Sequence, residues 1–402
     1  MPPLISDSDM MYLRTTPLPR ALESMQQAFW GLYPPSSRTA DFPPPTIVTR
    51  TPADETLYPN EGSCRRFAQL ARAFAQRTAD RWNDSPDMAY LNAKIGRWMP
   101  DASPVVKVDS KPRLSGIMDT INATLAHGPQ TRLPKEFYDA KALAIIDRVS
   151  VEEWFSGYAE SREYRMLGVG ALMGDVVGRL VASAQASPAD GIAEVGGEDG
   201  GLARGRGGER RIRLALSGCH DTTLAGLLTS LGAFDGQSWP QYTSHVAIEL
   251  FQRRSLTAPA TALPRNFPGE EGSSAAPAAQ IGGSTTKSWS LWTALFGAAE
   301  RGPSTLTAAA AAANARKPLS RLTPDEARSL DGFYVRVRYN DEVVRVPGCA
   351  APPNHLPGDT SFCTLEAFKA IVDKFTPPNW KAACHENLGG DAFPTQKEPA
   401  GY

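Results

Sequence analysis

The stretch Arg213-Leu214-Ala215-Leu216-Ser217-Gly218-Cys219-His220-Asp221-Thr222-Thr223-Leu224 decides the fold class. From Ile212 to Leu216 it is an apolar run broken once by Arg213, the pattern of a buried strand. Ser217 and Gly218 end the run, and Leu224, Leu227, Leu228 and Leu231 then recur at helical spacing. A strand that turns at once into a helix is a unit of an α/β fold. In open α/β sheets ligands bind at the carboxyl ends of strands, and helix N-termini attract anions. His220 and Asp221 therefore bring a nitrogen base or donor and a carboxyl group to one crevice, suited to a phosphate and its leaving group. A His-Asp dipeptide alone is common. Its strand-turn-helix setting makes this one a candidate site.

Upstream, Leu18, Leu22, Met25, Phe29 and Leu32 fall on one helical stripe, with Pro19 acceptable in the first turn and Pro34-Pro35 as the stop. Arg14 and Arg20 flank the start of that helix among several hydroxyls. Such a cluster can hold an oxyanion through forked guanidinium bonds and free backbone N–H groups. Taken alone, the two arginines read as surface charge.

Thr46 to Thr49 reads as a short strand, and Phe67, Leu70 and Phe74 as a helix after Cys64. From 81 to 186 the pattern is almost wholly helical. Leu114, Ile117, Met118, Ile121 and Leu125 mark one helix, Leu143, Ile145 and Ile146 another, and Met166 to Val181 a long third. Phe333 to Pro347 reads as a β-hairpin turning at Asn340-Asp341, and Thr364 as the cap of a helix carrying Leu365, Phe368 and Val372.

Composition narrows the function classes. Lys plus Arg number 42 against 43 Asp plus Glu, so no net charge draws the chain to nucleic acid or to an acidic membrane. No apolar run nears the roughly 20 residues of a membrane span, so no transmembrane segment is expected. Met1 to Asp9 lacks a basic segment followed by an apolar core, so no signal peptide is read there. None of the five cysteines forms a Cys-x-x-Cys pair, and no metal or cofactor is expected. Residues 187–210 and 254–320 are rich in small and polar residues and read as flexible insertions. The glycines of the first lack phosphate-loop spacing. Trp289, Trp292, Leu295 and Phe296 in the second offer a short sticky helix for a partner or membrane. His245 is a tempting second histidine, but its alternation with Ala247 and Glu249 favours a place in a strand.

The motif around His220 resembles the Ser-Gly-His-Asp-Thr-Thr pattern of the histidine acid phosphatases, the acid phosphatase and phytase branch of the histidine phosphatase superfamily. Here Cys219 is inserted before the histidine. Arg14-Thr15-Thr16 with Arg20 and Ser24 resembles that family's Arg-Ser-Thr-x-x-x-Arg-x-x-x-Ser. Pro347-Gly348-Cys349 and the later Cys363 resemble its Pro-Gly-Cys and Cys-x-Leu helix. The overall likeness is to the lysophosphatidic acid phosphatase type.

The resemblance implies a central mixed sheet flanked by helices, phosphoglycerate mutase-like, with an inserted α-helical cap. On that reading 1–80 and 211–402 form the α/β core and 81–186 the cap. It implies a phosphomonoester substrate, Asp221 as general acid, His220 as a second pocket histidine, Arg20 as phosphate binder and Arg14 in support. It also implies the disulfides Cys349–Cys363 and Cys64–Cys384, which would favour an oxidising compartment.

One family element is absent. No Arg-His-Gly, the nucleophile motif, occurs in the chain, whose five histidines are His127, His220, His245, His355 and His385. The family forms a phosphohistidine on that nucleophile while an aspartate protonates the departing alcohol. The first reading is thus a phosphatase whose first central strand lies upstream of an incomplete sequence, inactive as it stands. The second is a catalytically dead relative that binds phosphate or a partner, and the third an interaction protein working through its insertions. The compartment, the oligomeric state and the choice among lysophosphatidate, inositol phosphates and simple monoesters stay open.

Overall fold

A strand that the hydrophobic pattern did not reveal, β1 (Met11–Thr15), lies in the middle of a three-stranded parallel sheet. The computed structural model describes residues 4–5, 8–185, 212–253 and 317–402. β2 (Ile47–Val48) pairs with one side of β1 and β3 (Leu214–Gly218) with the other. The register sets Arg14 opposite Ser217 and Thr15 opposite Gly218, so β1 and β3 end level with each other. Side chains alternate across a strand. Met11 and Leu13 therefore join Ile5, Met25 and Phe29 in one small core, while Arg14 projects from the other face.

Helix α1 (Pro19–Leu32) covers the apolar face with Ala21, Met25 and Phe29. Leu32, expected on the buried stripe, is instead 52% exposed at the helix end. α1 approaches β3 so closely that a Cβ on Gly218 would lie 2.7 Å from the Ala21 carbonyl oxygen and 3.0 Å from Thr15 Oγ1. Glycine is required here by space.

A second, antiparallel sheet runs β4-β5-β8-β7, with β6 added on β5. Its strands are β4 (Val246–Gln252), β5 (Phe333–Tyr339), β6 (Glu342–Val344), β7 (His355–Leu356) and β8 (Asp359–Thr364). The hairpin turns at Asn340, which holds a φ of 53°, and Asp341. Val335 and Val337 face the core, and Arg336 between them pairs with Glu249 across the ladder at 2.8 Å. The protein is thus the mixed α/β fold expected, a parallel sheet flanked by helices.

The helical part comprises α2 (Arg65–Trp82), α3 (Pro86–Ile95), α4 (Leu114–His127), α5 (Ala140–Glu160), α6 (Arg162–Arg165) and α7 (Ala171–Ala184). α2 packs along α5, and α5 along α8 (Asp221–Ser230), the helix that follows β3. A π turn at Met166–Gly170 joins α6 to α7. Such a turn disturbs the regular helical ladder, and the indole N–H of Trp380 donates to the Leu167 carbonyl there at 2.8 Å. The expectation that no segment reaches membrane-spanning length needs correction. Arg162–Ala184 is long and apolar enough by composition, although 61% of its apolar window is buried in the fold, as in a core helix.

Thr364 caps the helix Leu365–Asp373 by accepting from the Ala367 N–H, and Leu365, Phe368 and Val372 are buried. Disulfides join Cys64 to Cys384 and Cys349 to Cys363, with Cα separations of 4.6 and 5.2 Å, and Cys219 is a free thiol. The insertion read at 187–210 and nearly all of that at 254–320, including Trp289, Trp292, Leu295 and Phe296, lie outside the described residues.

Gly218→Ala is expected to cost about 1–3 kcal/mol through overpacking against backbone. Gly31→Ala in α1, where an added Cβ meets nothing within 4 Å, should leave stability level or raise it by up to about 1 kcal/mol. Urea midpoints of the two variants check the contrast.

Candidate active site

The level ends of β1 and β3 put two chain segments side by side. The Thr16 N–H donates to the Gly218 carbonyl at 3.1 Å, extending the ladder one step beyond the strands. The Thr16 hydroxyl then meets His220 Nε2 at 3.0 Å, so the end of β1 fixes the ring that follows β3. The backbone of His220 is extended (φ −131°, ψ 160°), the geometry of a helix N-cap, and Asp221 opens α8. Tyr58 stands edge-on to the imidazole with centroids 5.9 Å apart. Thr223, the third residue of α8, donates to the Leu57 carbonyl at 2.5 Å and ties α8 to the loop carrying Tyr58.

Burial, and after it the nearby Arg20, push the His220 imidazole below its usual range, with Asp221 and Glu55 acting in the opposite sense. The ring is therefore neutral near pH 7, with its protonation open to a bound anion. Asp221 Oδ1 accepts from the Thr222 N–H at 2.7 Å, and Oδ2 from the indole N–H of Trp239 at 2.7 Å. Trp239 lies 18 residues from Asp221 and is buried. Only tertiary packing brings it there, and the sequence marks it merely as a turn residue.

The two candidate arginines differ. Arg20 is exposed in the first turn of α1, within electrostatic reach of His220, and has no acidic partner among the described residues. Arg14 is buried and committed to neighbours. Its Nη2 donates to Glu55 Oε1 at 2.7 Å and to Thr56 Oγ1 at 3.0 Å, and its Nη1 lies 3.6 Å from Asp175 Oδ2 on α7. Arg50 joins the cluster through Thr56 at 3.1 Å and Asp175 at 3.3 Å. Glu55 also accepts from the N–H groups of Thr56 and Leu57. The Arg14 Nε–H has no hydrogen-bond partner among the described residues. Neither Glu55 nor Asp175 was legible as part of this site, because they come from a loop and from the helical layer.

Cys219 is a half-buried free thiol. Burial pushes its thiol up to about 11, with Asp221 adding to that and the His220 backbone opposing it, so the reactive thiolate is scarce at neutral pH. His245 is exposed at the start of β4, where its backbone bonds to Asn340.

Comparison with known proteins adds a family context. The model of the histidine phosphatase superfamily (branch 2) matches residues 3–261. A Schizosaccharomyces pombe protein named "Probable acid phosphatase" is 33% identical over 374 residues, which is 93% of this chain and 68% of the relative. The lysophosphatidic acid phosphatases type 6 of Pongo abelii and Homo sapiens are 25% and 24% identical over 246 residues. Those alignments cover 60% of this chain and 48% of each relative, so the chain spans about half the length of these two proteins.

The lowered His220 value has a stability consequence. The unfolded chain takes up this proton first as the pH falls, so stability is lost from the ordinary histidine range down to the folded value. His220→Gln is expected to flatten that part of the curve. Denaturation midpoints at pH 7.5 and 5.5, falling equally in both proteins, would sink the assignment.

Proposed function

The chain belongs to branch 2 of the histidine phosphatase superfamily, and on that premise we propose that the His220–Asp221 crevice is the phosphate site of a phosphomonoester hydrolase. The observation that carries this reading is the exposed Arg20 guanidinium, which has no acidic partner among the described residues while it acts on His220. An exposed cation that has not been neutralised, a helix start and a neutral imidazole form a site whose missing component is an anion. Arg20 binds the outer phosphoryl oxygens, and the Nε–H of Arg14 supports from below.

In the family's reaction the nucleophilic imidazole forms a P–N bond as the ester P–O bond breaks. Asp221, in its acid form, gives its proton to the departing oxygen. Water then attacks phosphorus as the P–N bond breaks and frees the imidazole, its proton returns to the Asp221 carboxylate, and inorganic phosphate leaves. The positive groups are worth most where charge gathers on the equatorial oxygens. His220 donates to one of these oxygens once protonated.

No Arg-His-Gly occurs in these 402 residues. We assign to them phosphate binding and leaving-group protonation, and the phosphohistidine to an Arg-His-Gly segment placed upstream. A relative that binds phosphomonoesters without turnover is the second reading, favoured by that same absence. The substrate class is a phosphomonoester, to which the lysophosphatidic acid in the names of two relatives also belongs.

Titration of the 402-residue chain with inorganic phosphate should give saturable binding, weakened about tenfold or more by Arg20→Ala, the usual range for a charged hydrogen-bond donor. Binding indifferent to Arg20 ends the proposal. p-Nitrophenyl phosphate should be hydrolysed, without added metal, only when the chain is extended upstream with Arg-His-Gly-x-Arg. In that form Asp221→Asn should slow alkyl phosphates more than p-nitrophenyl phosphate, whose leaving group needs no proton. Equal slowing would count against Asp221 as the acid.

A further inference from the structure

We infer that Trp239 is the positioning residue of Asp221, holding the carboxyl group out over the crevice and away from Arg20. The inference rests on the reading of Arg20 and Asp221 as parts of one phosphate site.

An acid and an arginine in one crevice face a physical problem. Left alone, a carboxylate collapses onto a nearby guanidinium, because the bidentate pair is strong. Such a pair consumes the phosphate's binding partner and turns the proton donor away from the leaving group. Here Arg20 and Asp221 both act electrostatically on the His220 ring, yet they form no ion pair. The Asp221 carboxylate is otherwise engaged, with Oδ2 on the Trp239 indole N–H at 2.7 Å and Oδ1 on the Thr222 N–H at 2.7 Å.

Trp239 can impose that geometry because it is itself fixed. Its side chain is 6% exposed. Its backbone N–H donates to Asp147 Oδ1 on α5 at 2.8 Å. Its ring meets Trp154 edge-on with centroids 6.0 Å apart and packs on Phe155 at 5.0 Å. Three α5 side chains thus set the indole, and the indole sets the acid. Both donors are neutral N–H groups already aimed at the two oxygens. The carboxylate left after proton donation therefore needs no rearrangement.

Tryptophan suits this role better than a cation. An indole N–H donates one bond and adds no charge, so it orients Asp221 without a competing positive site for the phosphate. Asp221 carries both calls on its carboxyl group, and a phosphate on Arg20 feels where that group points.

The test is a double-mutant cycle read by inorganic phosphate affinity in the 402-residue chain. Trp239→Phe should weaken binding at least about fivefold when Asp221 is present, because the freed carboxylate pairs with Arg20 and repels the anion; with Asp221→Asn the same change should cost less than about twofold, the excess being the coupling between the two residues. Equal losses in the two backgrounds would mean that Trp239 is a packing residue only, and would overturn the inference. If Trp239→Phe does not fold, the indole N–H spectrum of the tryptophan-labelled chain takes its place. One of the eight indole signals should then shift strongly in Asp221→Asn, and eight unmoved signals would overturn the inference. Phosphate binding indifferent to Arg20→Ala would instead sink the site reading itself. The two failures are therefore distinguishable.

Discussion

Two guanidinium groups lie buried in the fold, and the arrangement around them depends on keeping them neutralised. Arg14 and Arg50 have side chains 3% and 1% exposed, facing Glu55 at 0% and Asp175 at 15%. Charges removed from water at this depth persist only when paired and hydrogen-bonded, and removing one partner from such a pair typically costs about 3–5 kcal/mol. The four groups balance in charge but come from three places: β1, the loop between β2 and α2, and helix α7. The cluster therefore joins the sheet to the helical layer. The end of β1 continues into Thr16, whose hydroxyl anchors His220, so a buried electrostatic requirement is passed upward into the placement of a reactive ring.

A second constraint runs through the sheet. Among the described residues β3 pairs with β1 alone, and β4 with β5 alone. Ala215 and Ser217 of β3 are exposed, and much of β4 is half-buried. Open strand edges present unpaired backbone groups and invite further pairing. The residues nearest the crevice accordingly draw order from side-chain ties rather than from a continuous ladder. Thr223 on the Leu57 carbonyl, Thr16 on His220 and Trp239 on Asp221 each cross from one element to another.

What was legible in the sequence follows from the range of each interaction. His220 and Asp221 stood out because a strand period gave way to a helix period within two residues, a purely local signal. The hairpin at Asn340-Asp341 and the Thr364 cap were readable for the same reason. β1 was not, because five residues with an arginine at the fourth place give too little alternation to separate from a loop. Arg14 and Arg20 were identified through a family pattern, yet their different burial was invisible, since it depends on Glu55 and Asp175, 41 and 161 residues from Arg14. Trp239 was missed because nothing local marks an indole as the partner of a carboxylate 18 residues earlier.

The inserted Cys219 shows how far a motif bends before its chemistry moves. The extra residue lies between the end of β3 and the helix cap, where its thiol packs beside the main core and is raised to about 11 by burial. The turn ends with His220 at the cap and Asp221 at the first helical position. The insertion thus changes the spelling of the motif, while His220 and Asp221 stand together at the helix start.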